Sequence, residues 1–112
     1  KISSIGSGGV TVTGTTSSQS GIGITLYYLT DQIASNGGLI TLNANSLSVV
    51  GTVNATNSGN VLIQTLGAAV DLGGAGSTSN LGLNNTEINQ ITASVLTINS
   101  NSGTIVNTAA RV

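Results

Sequence analysis

The chain has 112 residues, enough for one domain, and only five charged side chains: Lys1, Asp31, Asp71, Glu87 and Arg111. The net charge of −1 offers no electrostatic footprint for nucleic acid, an anionic membrane or an acidic substrate. Cys, His, Met, Phe, Trp and Pro are all absent, which excludes disulfides, thiolate metal sites and a core built on large aromatics.

Gly, Ser, Thr and Asn together supply more than half of the chain, a composition that invites disorder. Against that, Ile, Leu and Val make up over a quarter of it and recur in alternating clusters, while the high charge of disordered chains is missing. The reading is therefore an ordered all-β fold with a thin aliphatic core. The lack of Pro suits a backbone whose N–H groups nearly all enter ladders. No apolar run has the length of a signal peptide or a membrane span, so no membrane insertion is expected. The missing Met points to a processed product or a piece of a longer chain.

Along the chain, Gly-led strands read GGVTVTG (8–14), SGIGITL (20–26), GGLITLN (37–43), SGNVLIQT (58–65) and SGTIVNT (102–108). Their second glycines stand at 9, 21, 38, 59 and 103, so a step of 21 is followed by 44, two units of 22. Alternating strands also occupy LSVVGTV (47–53), AAVDLGG (68–74) and VLTIN (95–99), with a corner at Gly67. Repeats of this size predict a solenoid. The expected fold over 1–112 is a right-handed parallel β-helix with coils of about 21 residues and one or two helical turns at corners. Corner glycines would supply positive φ, and outward Thr, Ser and Asn would stack in hydrogen-bonded ladders. About five coils rising about 4.8 Å each would make a rod about 25 Å long.

One stretch breaks the alternation. In LGLNNTEINQI (81–91), Asn84 precedes Glu87 by three, the spacing of a capping box, and Ile88 and Ile91 share a face. This predicts a helical turn over 85–91 at the rim of a coil. LTDQIASNGGLITL (29–42) reads as a shortened version, with Thr30 as N-cap.

Residues 70–106 resemble a recurring block of bacterial filamentous-haemagglutinin-like proteins. The resemblance rests on Asp71-Leu72-Gly73-Gly74, Leu81-Gly82-Leu83, Glu87-Ile88, Ile91-Thr92-Ala93, Leu96-Thr97-Ile98 and Ser102-Gly103 in that order. Where the family's turn carries more acid and a basic residue, this chain has Asn85, Asn89 and Gln90. The resemblance implies a right-handed parallel β-helix, two-partner (type V) export, and adhesive or filament-forming roles on the bacterial surface.

Candidate chemistry is sparse. Asp71 and Glu87 could be paired as carboxylates for glycoside cleavage, but no basic partner accompanies them, and no catalytic, cofactor or metal residue is expected. Gly-rich DLGGAGS (71–77) lacks the repeated Asp of calcium turns. Tyr27 and Tyr28, adjacent on a strand, should face opposite sides, one buried and one exposed; packing is the default role, and an exposed ring could instead stack on a sugar or a partner chain. Sequons occur at Asn54 and Asn84, as chance allows in so Asn- and Thr-rich a chain. Two functions remain: a structural or adhesive unit of an extracellular fibre whose partners are copies or flanking repeats of itself and cell-surface glycans, or a flat Thr/Asn/Ser face for glycan or ice. The second needs Thr-x-Thr in every coil, and only TVT (11–13) fits.

Overall fold

A computed structural model of the chain describes residues 1–14, 23–65, 69–73, 80–100 and 105–107. Its first strands are β1 (Ile2–Ser4), β2 (Val10–Gly14), β3 (Ile24–Leu26), β4 (Gln32–Asn36), β5 (Ile40–Ala44), β6 (Leu47–Val49) and β7 (Thr52–Thr56). They are followed by β8 (Val61–Gln64), β9 (Ala69–Leu72), β10 (Asn80–Leu83), helix α1 (Asn85–Asn89), β11 (Ile91–Thr92), β12 (Leu96–Asn99) and β13 (Ile105–Asn107). The strands are short because Gly, Asn and Ser interrupt the alternation every few residues. Within them the pleat sorts the sequence. In β5, Ile40, Leu42 and Ala44 are buried while Thr41 and Asn43 are half-buried on the opposite face.

Every strand pairing among the described residues is parallel. Strands β1, β4, β7 and β11 lie side by side in one sheet, and β2, β5, β8 and β12 in another. The third row is made of two separate sheets, β3 with β6 and the three strands β10, β9 and β13, which are not hydrogen-bonded to each other but approach where β10 lies near β6. The chain thus visits the same three rows in turn. Apolar residues stack down each row, as in Ile33 on Val53 and Val12 on Leu42 on Ile63 on Ile98. Burial is complete in the middle and fades at the ends: Ile33 is 1% exposed, but its outer neighbour Ile2 is 50% exposed.

The repeat length is less regular than the glycines suggest. Ile40 pairs with Val61 and Gln32 with Thr52, so the central passes have the expected length. Val10 pairs with Ile40 and Val61 with Leu96, so the passes on either side are longer, the first by somewhat less than half and the second by about two thirds. The step from Gly59 to Gly103 is therefore not two equal units. That part of the chain makes one long pass, lengthened by β9, β10 and α1. The Gly-led strands also divide between rows. GGVTVTG, GGLITLN and SGNVLIQT stack as β2, β5 and β8, whereas β3 of SGIGITL pairs with β6 and β13 of SGTIVNT with β9.

Close backbone contact explains a central glycine better than positive φ does. A Cβ on Gly38 would lie 2.2 Å from the Gly8 carbonyl oxygen of the neighbouring pass, and no left-handed φ is involved. Left-handed backbone occurs instead at Gly37, Asn57, Ser58 and Gly73. The expected polar ladders are present in places: Asn57 Nδ2 donates to Asn36 Oδ1, and Asn43 Nδ2 to Thr13 Oγ1 at 3.3 Å.

Three further expectations are corrected. LSVVGTV breaks at Val50-Gly51 into β6 and β7. LTDQIASN forms no helix, because Gln32–Asn36 alternates Ile33 and Ser35 inward as β4, and Thr30 precedes a strand instead of capping a helix. The shape is not a rod: a radius of gyration of 13.1 Å and extents of 36 × 33 × 27 Å match a compact chain of this length. Stacks of four strands are simply no taller than they are wide. Gly67 and residues 74–77 lie outside the described residues.

Candidate functional site

Because β3 pairs with β6, and β7 lies between β4 and β11 and pairs with both, three connections run side by side at one corner of the molecule. They differ in length. Residues 27–31 link β3 to β4, residues 50–51 link β6 to β7, and residues 84–90 link β10 to β11. The two-residue link is the floor of a saddle whose walls are the two longer links. A groove of about 360 Å³ lies there, lined by Leu29, Val49 and Val50 together with Ser48, Thr86 and Gln90.

Each part of this corner is tied down by the backbone. Asn84 Oδ1 accepts from the Glu87 N–H at 2.9 Å, and Glu87 Oε2 accepts from the Asn84 N–H at 3.1 Å, completing the expected capping box. The helical turn covers Asn85–Asn89, and Ile88 and Ile91 pack half-buried against the core. Glu87 does something the sequence did not disclose. Its other oxygen, Oε1, accepts from the Val49 N–H at 3.2 Å, fastening α1 to the end of β6. On the opposite wall, Asp31 Oδ2 accepts from the N–H groups of both Tyr27 and Tyr28 at 3.0 Å. Gly51 has no room for a side chain, since a Cβ there would lie 2.1 Å from the Asp31 carbonyl oxygen.

Neither tyrosine is buried, contrary to expectation. They follow β3 in the turn, so strand alternation does not apply to them, and they are 68% and 64% exposed. Their rings meet edge to face with centroids 4.9 Å apart, and Leu29 beside them is 78% exposed.

The other candidates are scattered. Asp71 lies on β9 and Glu87 on α1, and no group of three potential metal ligands occurs among the described residues. Asn54 is half-buried within β7, and the Asn84 side chain is engaged as the cap, so neither sequon presents a free asparagine on a loop. Along the outer face of the β2–β5–β8–β12 sheet the columns read Thr11, Thr41, Leu62, Thr97 and Thr13, Asn43, Gln64, Asn99. That face is polar but is no regular Thr array. No described helix is long and apolar enough to cross a membrane. No protein-family model, curated protein or solved structure matches the chain.

Proposed function

We propose that the chain is a segment of right-handed parallel β-helix, serving as a structural and adhesive building unit of a bacterial cell-surface or extracellular fibre. In this reading each visit to the three rows is one coil, and function comes from coil stacking and end-to-end association. Right-handedness follows the strong rule for parallel crossover connections. The resemblance of residues 70–106 to filamentous-haemagglutinin-like blocks supplies the bacterial, exported setting. Segments of that block fall on successive elements: Leu81-Gly82-Leu83 on β10, Glu87-Ile88 on α1, Ile91-Thr92 on β11 and Leu96-Thr97-Ile98 on β12.

One observation carries the reading. Strands β1, β2 and β3 lie at one edge of their rows and β11, β12 and β13 at the other. Each edge offers unpaired backbone groups to a parallel neighbour. The apolar columns end there unfinished, with Ile2 half exposed above a fully covered Val53 two places in. Another strand of the same kind would complete the ladder and cover the column at once. The partner is then a second copy or a flanking repeat, and a head-to-tail contact of this type need not close.

The test places charge on an outward edge. Thr11 and Thr13 are exposed on β2, so Thr11→Lys with Thr13→Lys leaves the core untouched while opposing edge pairing. Sedimentation velocity of the parent chain should show concentration-dependent association that the double variant loses. A parent chain that stays monomeric at every concentration refutes association through these edges.

A further inference from the structure

We propose that the saddle between the Tyr27–Asp31 turn and α1 is a binding subsite for an uncharged saccharide. The core is filled by Ile, Leu, Val and Ala, and the chain's two aromatic residues are both placed outside it. They do no core packing, yet the Asp31 carboxylate holds both of their N–H groups, so the turn that presents them is fixed. An aromatic face is electron-rich and attracts the polarised C–H bonds on the apolar side of a sugar ring.

Leu29, the residue after Tyr28 in the same turn, lines the groove between that turn and α1, so a ligand seated in the groove lies next to the turn that carries the two rings. Leu29, from the tyrosine turn, and Val50 on the floor offer apolar surface. Thr86 and Gln90 on α1 and Ser48 at the floor offer donors and acceptors for hydroxyl groups. At about 360 Å³ the space falls within the range of small-molecule sites. Convergent polar groups on an apolar bed orient a ligand that has both kinds of surface, as a sugar does.

The charge on the groove lining favours a neutral ligand. Among the described residues Glu87 is the one charged side chain lining the groove, and its two carboxylate oxygens are already engaged by the N–H groups of Asn84 and Val49. No described cation lines the site, so an anionic ligand finds no partner and a cationic one finds an occupied carboxylate. A second copy of the chain fits less well, because the groove is bounded by side chains and closed turns and offers no strand edge. The saddle is complete in a single copy, so this inference stands apart from end-to-end association.

Tyr27 and Tyr28 are the only fluorophores, so tyrosine emission reports on this turn alone. Titration of the full chain with uncharged malto-, cello- and chito-oligosaccharides should give a saturable emission change with at least one series. By calorimetry, Tyr27→Ala with Tyr28→Ala, and separately Gln90→Ala, should weaken that binding at least tenfold with the fold intact by circular dichroism. The edge variant Thr11→Lys/Thr13→Lys should bind as the parent does. Absence of binding to every series, affinity that survives loss of both tyrosines, or tighter binding of an anionic polysaccharide such as heparin overturns the proposal. So does a double tyrosine variant whose only defect is lost self-association.

Discussion

Removing the Glu87 side chain tests the corner as a unit. In Glu87→Ala, the N–H groups of Asn84 and Val49 both lose a charged acceptor, and Val49 lies at the buried end of β6. Hydrogen bonds to charged groups contribute about 1.5–3 kcal/mol each, and the lower figure applies because the carboxylate is half-buried. Adding a few tenths for the lost acidic residue in the first helical turn gives a cost of roughly 3–4 kcal/mol. Against the roughly 5–15 kcal/mol typical of a domain, that is a large share. Thermal unfolding followed by circular dichroism should show a midpoint lowered by about 12–20 °C. Asn84→Ala removes one cap and should cost about 0.5–2 kcal/mol. The two residues exchange hydrogen bonds, so the double variant should cost less than the sum by at least about 0.5 kcal/mol. A Glu87→Ala cost below about 0.5 kcal/mol, or strict additivity, would refute the tether and the reciprocal cap.

Three other outcomes follow from the stacking. Leu42→Ala, at the fully buried centre of the Val12–Leu42–Ile63–Ile98 column, should cost about 2–5 kcal/mol in chemical denaturation, whereas Ile2→Ala at the half-exposed end should cost about 1 kcal/mol. Gly38→Ala drives a Cβ against the Gly8 carbonyl and should destabilise by about 3 kcal/mol, while Gly6→Ala meets open space and should change stability by less than about 1 kcal/mol. End-to-end association, measured by sedimentation from about 0.05 to about 1 M salt, should change little, because a chain with five charges has little attraction to screen.

Alternation and capping are local chemistry, and these parts of the fold could be read from the sequence. Ile40, Leu42 and Ala44 against Thr41 and Asn43 announce a strand and its buried face. Asn84 and Glu87 announce a capped turn, and the structure forms both halves of the box. What stacks on what depends on the length of every intervening corner, and that information is spread along the chain. The segment that follows the glycine at 103 looks equivalent to those that follow Gly38 and Gly59, yet its strand β13 pairs with β9 in another row, because glycine marks corners in general. Asp31 misled for a related reason. Thr30-Asp31 can start a helix, but the carboxylate reaches back to the N–H groups of Tyr27 and Tyr28 and closes a turn before β4. That also moved both tyrosines out of the strand in which alternation would have buried one. The saddle went unseen because it exists only between passes. Its trace in the sequence is the contrast between the two-residue link at Val50-Gly51 and the five- and seven-residue links on either side.

Electron microscopy of the concentrated chain images what the open edges do. Edge-to-edge stacking should give unbranched filaments whose strands run across the axis in parallel register, spaced about 4.8 Å apart. Their assembly should be abolished by Thr11→Lys with Thr13→Lys. Single compact particles at every concentration, or filaments paired antiparallel, would contradict such stacking.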